Sequence, residues 1–537
     1  MKIALAQINC TAGDLNGNQL KILRACQQAK EADADLVITP EMSLCGYFPE
    51  DWLLRGEFVQ TCHQTLMELV AQVHDVTLII GHPHNMDGDL FNAVSIVRDG
   101  RLLATHCKQH LFSDRLQDER RYFSAGNLLC TFECSGTLFG LTTGSDYRHA
   151  AHLQSLQAAG AQVLLAVDAS SYSIDGQTDR YRTLREGITQ TSLPAVYINP
   201  VGGQDELVFD GASFAMDHSG KLVCQLPAFQ EAFTVIEIHD NQSISGECSA
   251  LPDQVGSIYT ALCLGLHDFI TKNKFPGVLI GLSGGVDSAL VLAIAVDALG
   301  AERIRTVMMP SPYTADISIQ DAQTMADNLG VHHARIPITG LFDQFQQALQ
   351  AELQACSGSG TSVTAENLQA RIRGTLLMAL ANQSGMLVLP TNNKSETAVG
   401  YSTLYGDMAG GFSILKDVSK TLVYQLCHYR NQISPIIPQR ILQRPPSAEL
   451  RPGQTDQDSL PPYDVLDAII EAYVENDLSA TEIIAMNYPE ETVRRVLRMI
   501  HSCEYKRRQA APGIRITRRD FGRSWRFPIT SKVQQRL

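Results

Sequence analysis

The sequence predicts an α/β protein in two parts: a mixed, layered α/β domain over residues 1–245, then a doubly wound parallel sheet over 246–537. Three observations carry this reading. Short apolar runs alternate with helical stretches through the first 240 residues, and a regular strand–helix order begins near residue 278. Between them lies a polar stretch without periodicity, NQSISGECSALPDQV at 241–255, which marks the boundary. With 537 residues, 44% of them hydrophobic, the chain can bury two sizeable cores.

In the first part, Ile3–Ile8, Leu36–Thr39, Thr77–Ile80, Asn92–Arg98, Val163–Val167 and Val196–Asn199 read as strands. Helical stretches near 17–32 and 56–74 separate the early ones. Asp99-Gly100 and Ser219-Gly220 read as hairpin turns. Beyond the boundary, Ile258, Leu262, Leu266, Phe269 and Ile270 fall on one side of a helix. A strand at Val278–Leu282 follows, then a helix near 287–299 stopped by Gly300. A strand at Ile304–Met309 and a helix near 318–329 stopped by Gly330 repeat the unit, which is the order of a parallel sheet. CSGSGTS at 356–362 reads as a mobile loop, and the five prolines between Arg444 and Asp464 as an extended segment.

Composition removes several classes of function. A formal charge of −14 argues against general nucleic-acid binding. No apolar run approaches the roughly 18 residues of a membrane span. The opening MKIALAQINC is broken by Gln7 and Asn9 and reads as a strand, not a secretory leader. Thirteen cysteines without a CxxC pair argue for a reducing cytoplasm over a disulfide framework. The tail departs from the acidic average, with ten Lys/Arg and one acid from Tyr505 to Leu537. One reading is a solvated basic tail. Its Phe521, Gly522, Trp525 and Phe527 favour an ordered segment that packs back and meets phosphates.

Gly281, Leu282, Ser283, Gly284, Gly285, Val286, Asp287 and Ser288 form a Gly-rich turn from strand to helix. Such a turn aims backbone N–H groups at a helix N-terminus, where phosphate oxygens are favoured. Asp287 offers a carboxylate to Mg²⁺. No Gly-Lys-Ser/Thr follows, so this is not a Walker loop. Ser-Gly-Gly-x-Asp-Ser resembles the pyrophosphate loop of the ATP pyrophosphatases, which adenylylate a substrate and release pyrophosphate. Within that family, residues 364–424, RPPSAELRPGQTDQDSLPPYDVLD at 444–467 and EYKRRQAAPGIRITRRDFGRSWRFP at 504–528 resemble NAD⁺ synthetase.

The resemblance implies an ATP-dependent amidation of deamido-NAD⁺ through an acyl-adenylate. It implies that Thr391, Lys420 and Ser447 meet ATP, that Asn367 and Lys506 meet deamido-NAD⁺, and that Glu396 lies beside the metal or deamido-NAD⁺. Asp287 and Glu396 are the implied metal ligands, and Arg507 joins Lys506 near the dinucleotide. Read singly, Asn367 is equally a helix cap, and Lys420 and Lys506 equally solvated lysines. Ala315, in Tyr313-Thr314-Ala315-Asp316, stands where relatives often carry Ser. Relatives pair their synthetase domains, which implies at least a homodimer.

The first part is similar to the nitrilase-type amidase domain of glutamine-dependent NAD⁺ synthetases, an α/β-β/α sandwich, through VITPEMSLCGYFPEDWLL at 37–54, THCKQHL at 105–111 and ERRYFSAG at 119–126. That family hydrolyses glutamine with a Glu base, a Lys that steadies the oxyanion and a Cys nucleophile. Glu41 and Lys108 match the first two. At the Cys, the family's Gly-hydrophobic-x-Ile-Cys-Glu-Asp reads Gly140-Leu-Thr-Thr-Gly144-Ser145-Asp146. Gly144 has no side chain, and Ser145, as its neighbour on an extended strand, points to the other face. Asp114 replaces a glutamine-contacting Tyr, and the usual Asn-Ala-Ser-Pro-Tyr and Lys appear as Asp168-Ala-Ser-Ser-Tyr172 and Gln177. The expectation is an inactive amidase, with free ammonia as nitrogen donor. The alternatives are glutamine use through Cys45, Cys107 or a separate glutaminase, and a non-catalytic nucleotide-binding regulator.

Overall fold

A computed structural model describes residues 1–113, 118–239, 242–356 and 363–532. Asp114 and residues 357–362 of the glycine-serine stretch therefore lie outside the described residues. The chain forms two units, Met1–Asp253 and Gln254–Leu537. The division falls eight residues beyond the 245/246 read from the sequence, because Cys248 still bridges to Gln225 of the first unit.

The first unit is built from β1 (Lys2–Gln7), α1 (Leu15–Glu31), β2 (Leu36–Ile38), α2 (Gly56–Val70), β3 (Thr77–Met86), β4 (Asp89–Arg98) and β5 (Arg101–Cys107). There follow β6 (Thr131–Cys134), β7 (Thr137–Thr143), α3 (Ala150–Ala158), β8 (Val163–Val167), α4 (Gly176–Thr191) and β9 (Ala195–Ile198). Last come β10 (Val201–Gln204), β11 (Leu207–Asp210), β12 (Phe214–Met216), β13 (Leu222–Gln225), β14 (Ala232–Ile238) and β15 (Ile244–Ser245). One sheet runs β15-β14-β1-β2-β3-β4-β5 and another β13-β12-β9-β8-β7-β6.

Side-chain alternation explains the layering. Ile3 and Leu5 of β1 join Phe139, Leu141, Val163 and Leu165 in a core between the sheets. Ala4 and Ala6 of the same strand face Ile22 of α1 and Leu66 of α2. Leu164 and Ala166 of β8 face Leu153 of α3 and Leu184 of α4. The result is an α/β-β/α sandwich. Both expected hairpins form: β4 and β5 flank Asp99-Gly100, and β12 and β13 flank Ser219-Gly220. The strand expected at Thr77–Ile80 runs on to Met86.

The second unit opens with α5 (Gln254–Lys272), β16 (Val278–Gly281), α6 (Val286–Leu299), β17 (Ile304–Met308), α7 (Asp316–Leu329) and β18 (His332–Arg335). It continues with α8 (Thr339–Ala355), α9 (Val363–Ser384), β19 (Leu387–Leu389), α10 (Lys394–Val399) and α11 (Lys420–Ile433). All four strands are parallel, in the order β18-β17-β16-β19. The chain builds outward from β16 on one side and then returns to its other side. That switch opens a crevice at the carboxyl ends of β16 and β19, where α/β sheets bind ligands. The tail packs back as expected: Ile514, Ile516, Phe521 and Trp525 are buried, and Gly513 bridges to Ser413. All thirteen cysteines are free thiols, and among the described residues no helix is long and apolar enough to cross a membrane.

Candidate functional site

The crevice of the second unit is a cavity of about 790 Å³. Its lining includes all eight residues Gly281–Ser288, together with Asn367, Thr391, Glu396, Lys420, Ser447 and Lys506. The Gly-rich turn leaves β16 at Gly281 and enters α6 at Val286. Gly284 has φ +81°, and a Cβ there would overlap the Ser318 carbonyl oxygen, so this position requires glycine. The two serines brace the turn. Ser283 Oγ lies 3.0 Å from Ser288 Oγ and accepts from Gly285 N at 3.2 Å.

Asp287, in the first turn of α6, accepts from Lys420 Nζ at 2.5 Å and from Asn393 Nδ2 at 2.9 Å. Lys420 Nζ is also 3.5 Å from Glu396 Oε1. Asn393 and Glu396 form a reciprocal capping box at the start of α10, which fixes both side chains. Lys420 is 2% exposed, so it is not a solvated lysine. It stands at the first residue of α11, where the helix dipole disfavours a cation, and the carboxylates hold it there. Burial pushes the Glu396 carboxyl up to about 8, and Asp287 and Asp456 add to this while Lys420 opposes it. Asp287 and Glu396 are hard oxygen donors converging on one cation, a donor set that fits Mg²⁺.

Asn367 lies within α9 and is not a cap; its Oδ1 accepts from Thr403 Oγ1 at 2.9 Å. Lys506 reaches the cavity wall while donating to the Gly400 and Ser402 carbonyls at 2.7 and 2.8 Å. Ser447 Oγ donates to the Gln454 carbonyl at 2.6 Å, within the proline-rich segment, which lines one wall. Arg507 corrects the reading that paired it with Lys506. It is buried, donates to the Ala398 carbonyl at 2.6 Å and stacks on Phe521 and Trp525. Thr314 lines the cavity, and Ala315 is the N-cap residue of α7, with no side-chain hydrogen bond.

Sequence reasoning missed several polar lining residues, Asp456, Arg373 and Arg444 among them. Asp456 receives Tyr463 Oη at 2.7 Å. Arg373 is pushed down to about 10 by burial. Arg444 pairs with Glu449 at 2.6 Å. Arg373 and Arg444 lie within the matched stretches, and with Arg451 they bring cations to the cavity wall from α9 and the proline-rich segment.

In the first unit, Glu41 follows β2, Lys108 follows β5 and Gly144 follows β7. These strand ends bring the three together. Lys108 Nζ donates to Glu41 Oε1 at 2.9 Å and to Glu119 Oε1 at 2.8 Å. Asn92 Nδ2 donates to the same two oxygens at 2.6 and 3.1 Å. Glu119 was missed, although it opens the matched ERRYFSAG. Burial pushes the Glu41 carboxyl up to about 7, with Glu119 and Asp168 adding to the shift against Lys108. A Cβ built on Gly144 would overlap Lys108 Nζ and lie 3.0 Å from Glu41 Oε1.

The reason given for Ser145 needs correction. Gly144–Arg148 is a 3₁₀ turn, not extended strand, and Ser145 Oγ is spent on the His110 carbonyl. Cys45 is buried beside Cys62, and that hydrogen bond together with burial pushes its thiol well up. Burial also raises the Cys107 thiol. Asp168 accepts from Tyr197 Oη at 2.7 Å, Tyr172 is buried, and Gln177 accepts from Arg180 Nε at 2.9 Å.

Family models match both units: a carbon-nitrogen hydrolase over residues 2–244 and an NAD synthase over 258–510. The chain is 42% identical to the glutamine-dependent NAD⁺ synthetase of Acinetobacter baylyi over 99% of this chain and 98% of that protein. It is 41% identical to that of Rhodobacter capsulatus over the same shares. Among solved structures, the glutamine-dependent NAD⁺ synthetase of Acinetobacter baumannii in complex with ADP matches with a TM-score of 0.80, at 41% identity over 98% of each chain. With both units matched and relatives aligned from end to end, the chain belongs to the NAD⁺ synthetase family, in the form that carries a carbon-nitrogen hydrolase domain ahead of the synthase domain.

Proposed function

We propose that the chain makes NAD⁺ from deamido-NAD⁺ and ATP through an acyl-adenylate, releasing AMP and pyrophosphate, with free ammonia as nitrogen donor. What carries the synthetase reading is the convergence of the Gly281–Ser288 turn, Glu396 and Lys420 on one cavity at the switch point of a parallel sheet. The N-terminus of α6 and the turn's backbone N–H groups receive phosphate oxygens. Lys420 balances the negative charge that grows on the departing pyrophosphate. Thr391 and Ser447 meet the nucleotide, while Asn367 and Lys506 orient deamido-NAD⁺. Asp287 and Glu396 would hold Mg²⁺, which would supply charge neutralisation to the leaving group. The deep cavity shields the adenylate from water until the amine attacks. Purified chain given ATP, Mg²⁺, deamido-NAD⁺ and ammonium chloride forms NAD⁺, AMP and pyrophosphate in equal amounts. AMP formation without NAD⁺, or neither product, overturns the reading.

The ammonia assignment rests on the hydrolase unit. The position that would carry its nucleophile is Gly144, and the space a side chain would fill there is taken by the Lys108 amine. Lys108 Nζ and Asn92 Nδ2 both donate to Glu41 and Glu119, the arrangement of a buried ion pair and its neighbours. The relatives' names favour a second reading, in which glutamine supplies the nitrogen. Here that route needs Cys45, Cys107 or a separate glutaminase. If it is internal, Cys45→Ala or Cys107→Ala abolishes glutamine-dependent NAD⁺ formation and spares the ammonium reaction. Assembly as at least a homodimer follows from the resemblance and is measured by sedimentation.

A further inference from the structure

Behind the Glu41–Lys108 network lies a second buried cluster that the reaction does not use. His106 is the penultimate residue of β5, Asp146 lies in the Gly144–Arg148 turn, and His152 is on α3. They are 1%, 0% and 4% exposed. One ligand atom from each lies within 4.8 Å of the others. His106 Nε2 is 3.2 Å from Asp146 Oδ2, and the other carboxylate oxygen receives His110 N at 2.7 Å and faces His110 Nδ1 at 2.9 Å.

The hydrogen bonds around His152 determine its tautomer. Gln109 Nε2 donates to the Leu128 carbonyl at 2.9 Å, which orients the amide so that Oε1 faces His152 Nδ1 at 3.2 Å. A carbonyl oxygen only accepts, so Nδ1 carries the proton and Nε2 carries a lone pair. That Nε2 is buried and has no partner, and neither does His106 Nδ1. Buried polar atoms are rarely left so, and two in one cluster call for an occupant. Burial pushes the His152 ring down to about 4, so it is neutral at neutral pH.

We propose that His106, Asp146 and His152 bind a divalent metal of the Zn²⁺ class in the hydrolase unit, separate from the Mg²⁺ of the synthetase reaction. Two imidazoles and a carboxylate are a borderline donor set that suits Zn²⁺ over Mg²⁺ or Ca²⁺. The Gln109 carbonyl is the outer partner that orients a metal-ligating imidazole. Zn–N bonds of about 2.1 Å place two ligand atoms about 4 Å apart or closer, so a side-chain shift of about 1 Å closes the cluster. The metal staples the end of β5, the 144–148 turn and α3 together. Glu41 and Lys108 are not among its ligands, and with three protein ligands a water completes the tetrahedron.

The test uses the full-length, tag-free chain, stripped with a chelator and then given Zn²⁺ or Co²⁺. One equivalent of Zn²⁺ retained through gel filtration, a higher thermal midpoint and Co²⁺ d–d absorption bands of tetrahedral intensity are expected. His152→Gln and His106→Gln should weaken binding at least tenfold, while His218→Gln on the surface should leave it unchanged. No retained equivalent in the unmodified chain, or equal retention in all three variants, overturns the proposal. If His106→Gln does not fold, His152→Gln and the cobalt spectrum of the unmodified chain decide.

Discussion

Gly144 has φ +52°, and its missing side chain leaves room for the Lys108 amine. Gly144→Cys therefore has two costs: a left-handed backbone that only glycine relaxes, and displacement of a buried cation from Glu41. The variant should unfold about 1–3 kcal/mol more easily by urea denaturation. Lys420→Ala removes the cation between Asp287 and Glu396; kcat/KM with ammonium should fall about 100–1000-fold, read by NAD⁺ formation, with circular dichroism to show that the fold survives. Glu396 gives a pH signature. Folding raises its pKa from 4.5 to about 8, so the folded state binds the proton more tightly. Its stabilising effect is full below 4.5 and is lost as pH rises through about 8. Glu396→Gln, which keeps an oxygen for the capping box, should gain stability relative to the unmodified chain as pH rises over that window. A thermal midpoint difference that is flat with pH would contradict this. The Gly281–Ser288 turn was legible from its local order, whereas Glu41 and Lys108 were reached only through the resemblance of the stretches around them. Glu119 and Asp456 were not, since only the tertiary fold gives an ordinary acid its partner.

Ala315 caps α7 without a side-chain acceptor. Ala315→Ser supplies one, and should raise stability by about 1 kcal/mol, measured by denaturant titration. Helices read well from the sequence where a stop was explicit, as at Gly300 and Gly330, which have φ +83° and +65°. Strand β3 was read short because Gly81 and Pro83 signal a break. Pro83 is tolerated because β2 pairs only with Thr77–Ile79, which leaves that flank of β3 without a ladder partner to lose. The 144–148 turn was read as strand because Gly-Ser-Asp continues an apolar run and no proline announces the change. Arg507 was assigned to the dinucleotide from its neighbour Lys506. On the short helix at 504–507 adjacent residues point differently, and the Phe521 and Trp525 rings that claim Arg507 lie in the folded-back tail.

The two units carry their chemistry at the same kind of place, the ends of strands, but in different condition. In the synthetase unit, the switch between β16 and β19 opens a wide cavity lined by charges of both signs, with Asp287, Glu396 and Asp456 gathered about Lys420. In the hydrolase unit, Lys108 and Asn92 both donate to Glu41 and Glu119 beside a glycine. The order of elements made both folds readable, because βα repetition and a two-period alternation each specify a layer. The decisive measurement is isotopic. The full chain is given ATP, Mg²⁺, deamido-NAD⁺ and either ¹⁵N-ammonium or ammonia-free amide-¹⁵N-glutamine, and the NAD⁺ formed is weighed by mass spectrometry. Label from ammonium and no NAD⁺ from glutamine is the result the proposed ammonia route predicts. NAD⁺ labelled from glutamine as readily as from ammonium would contradict it.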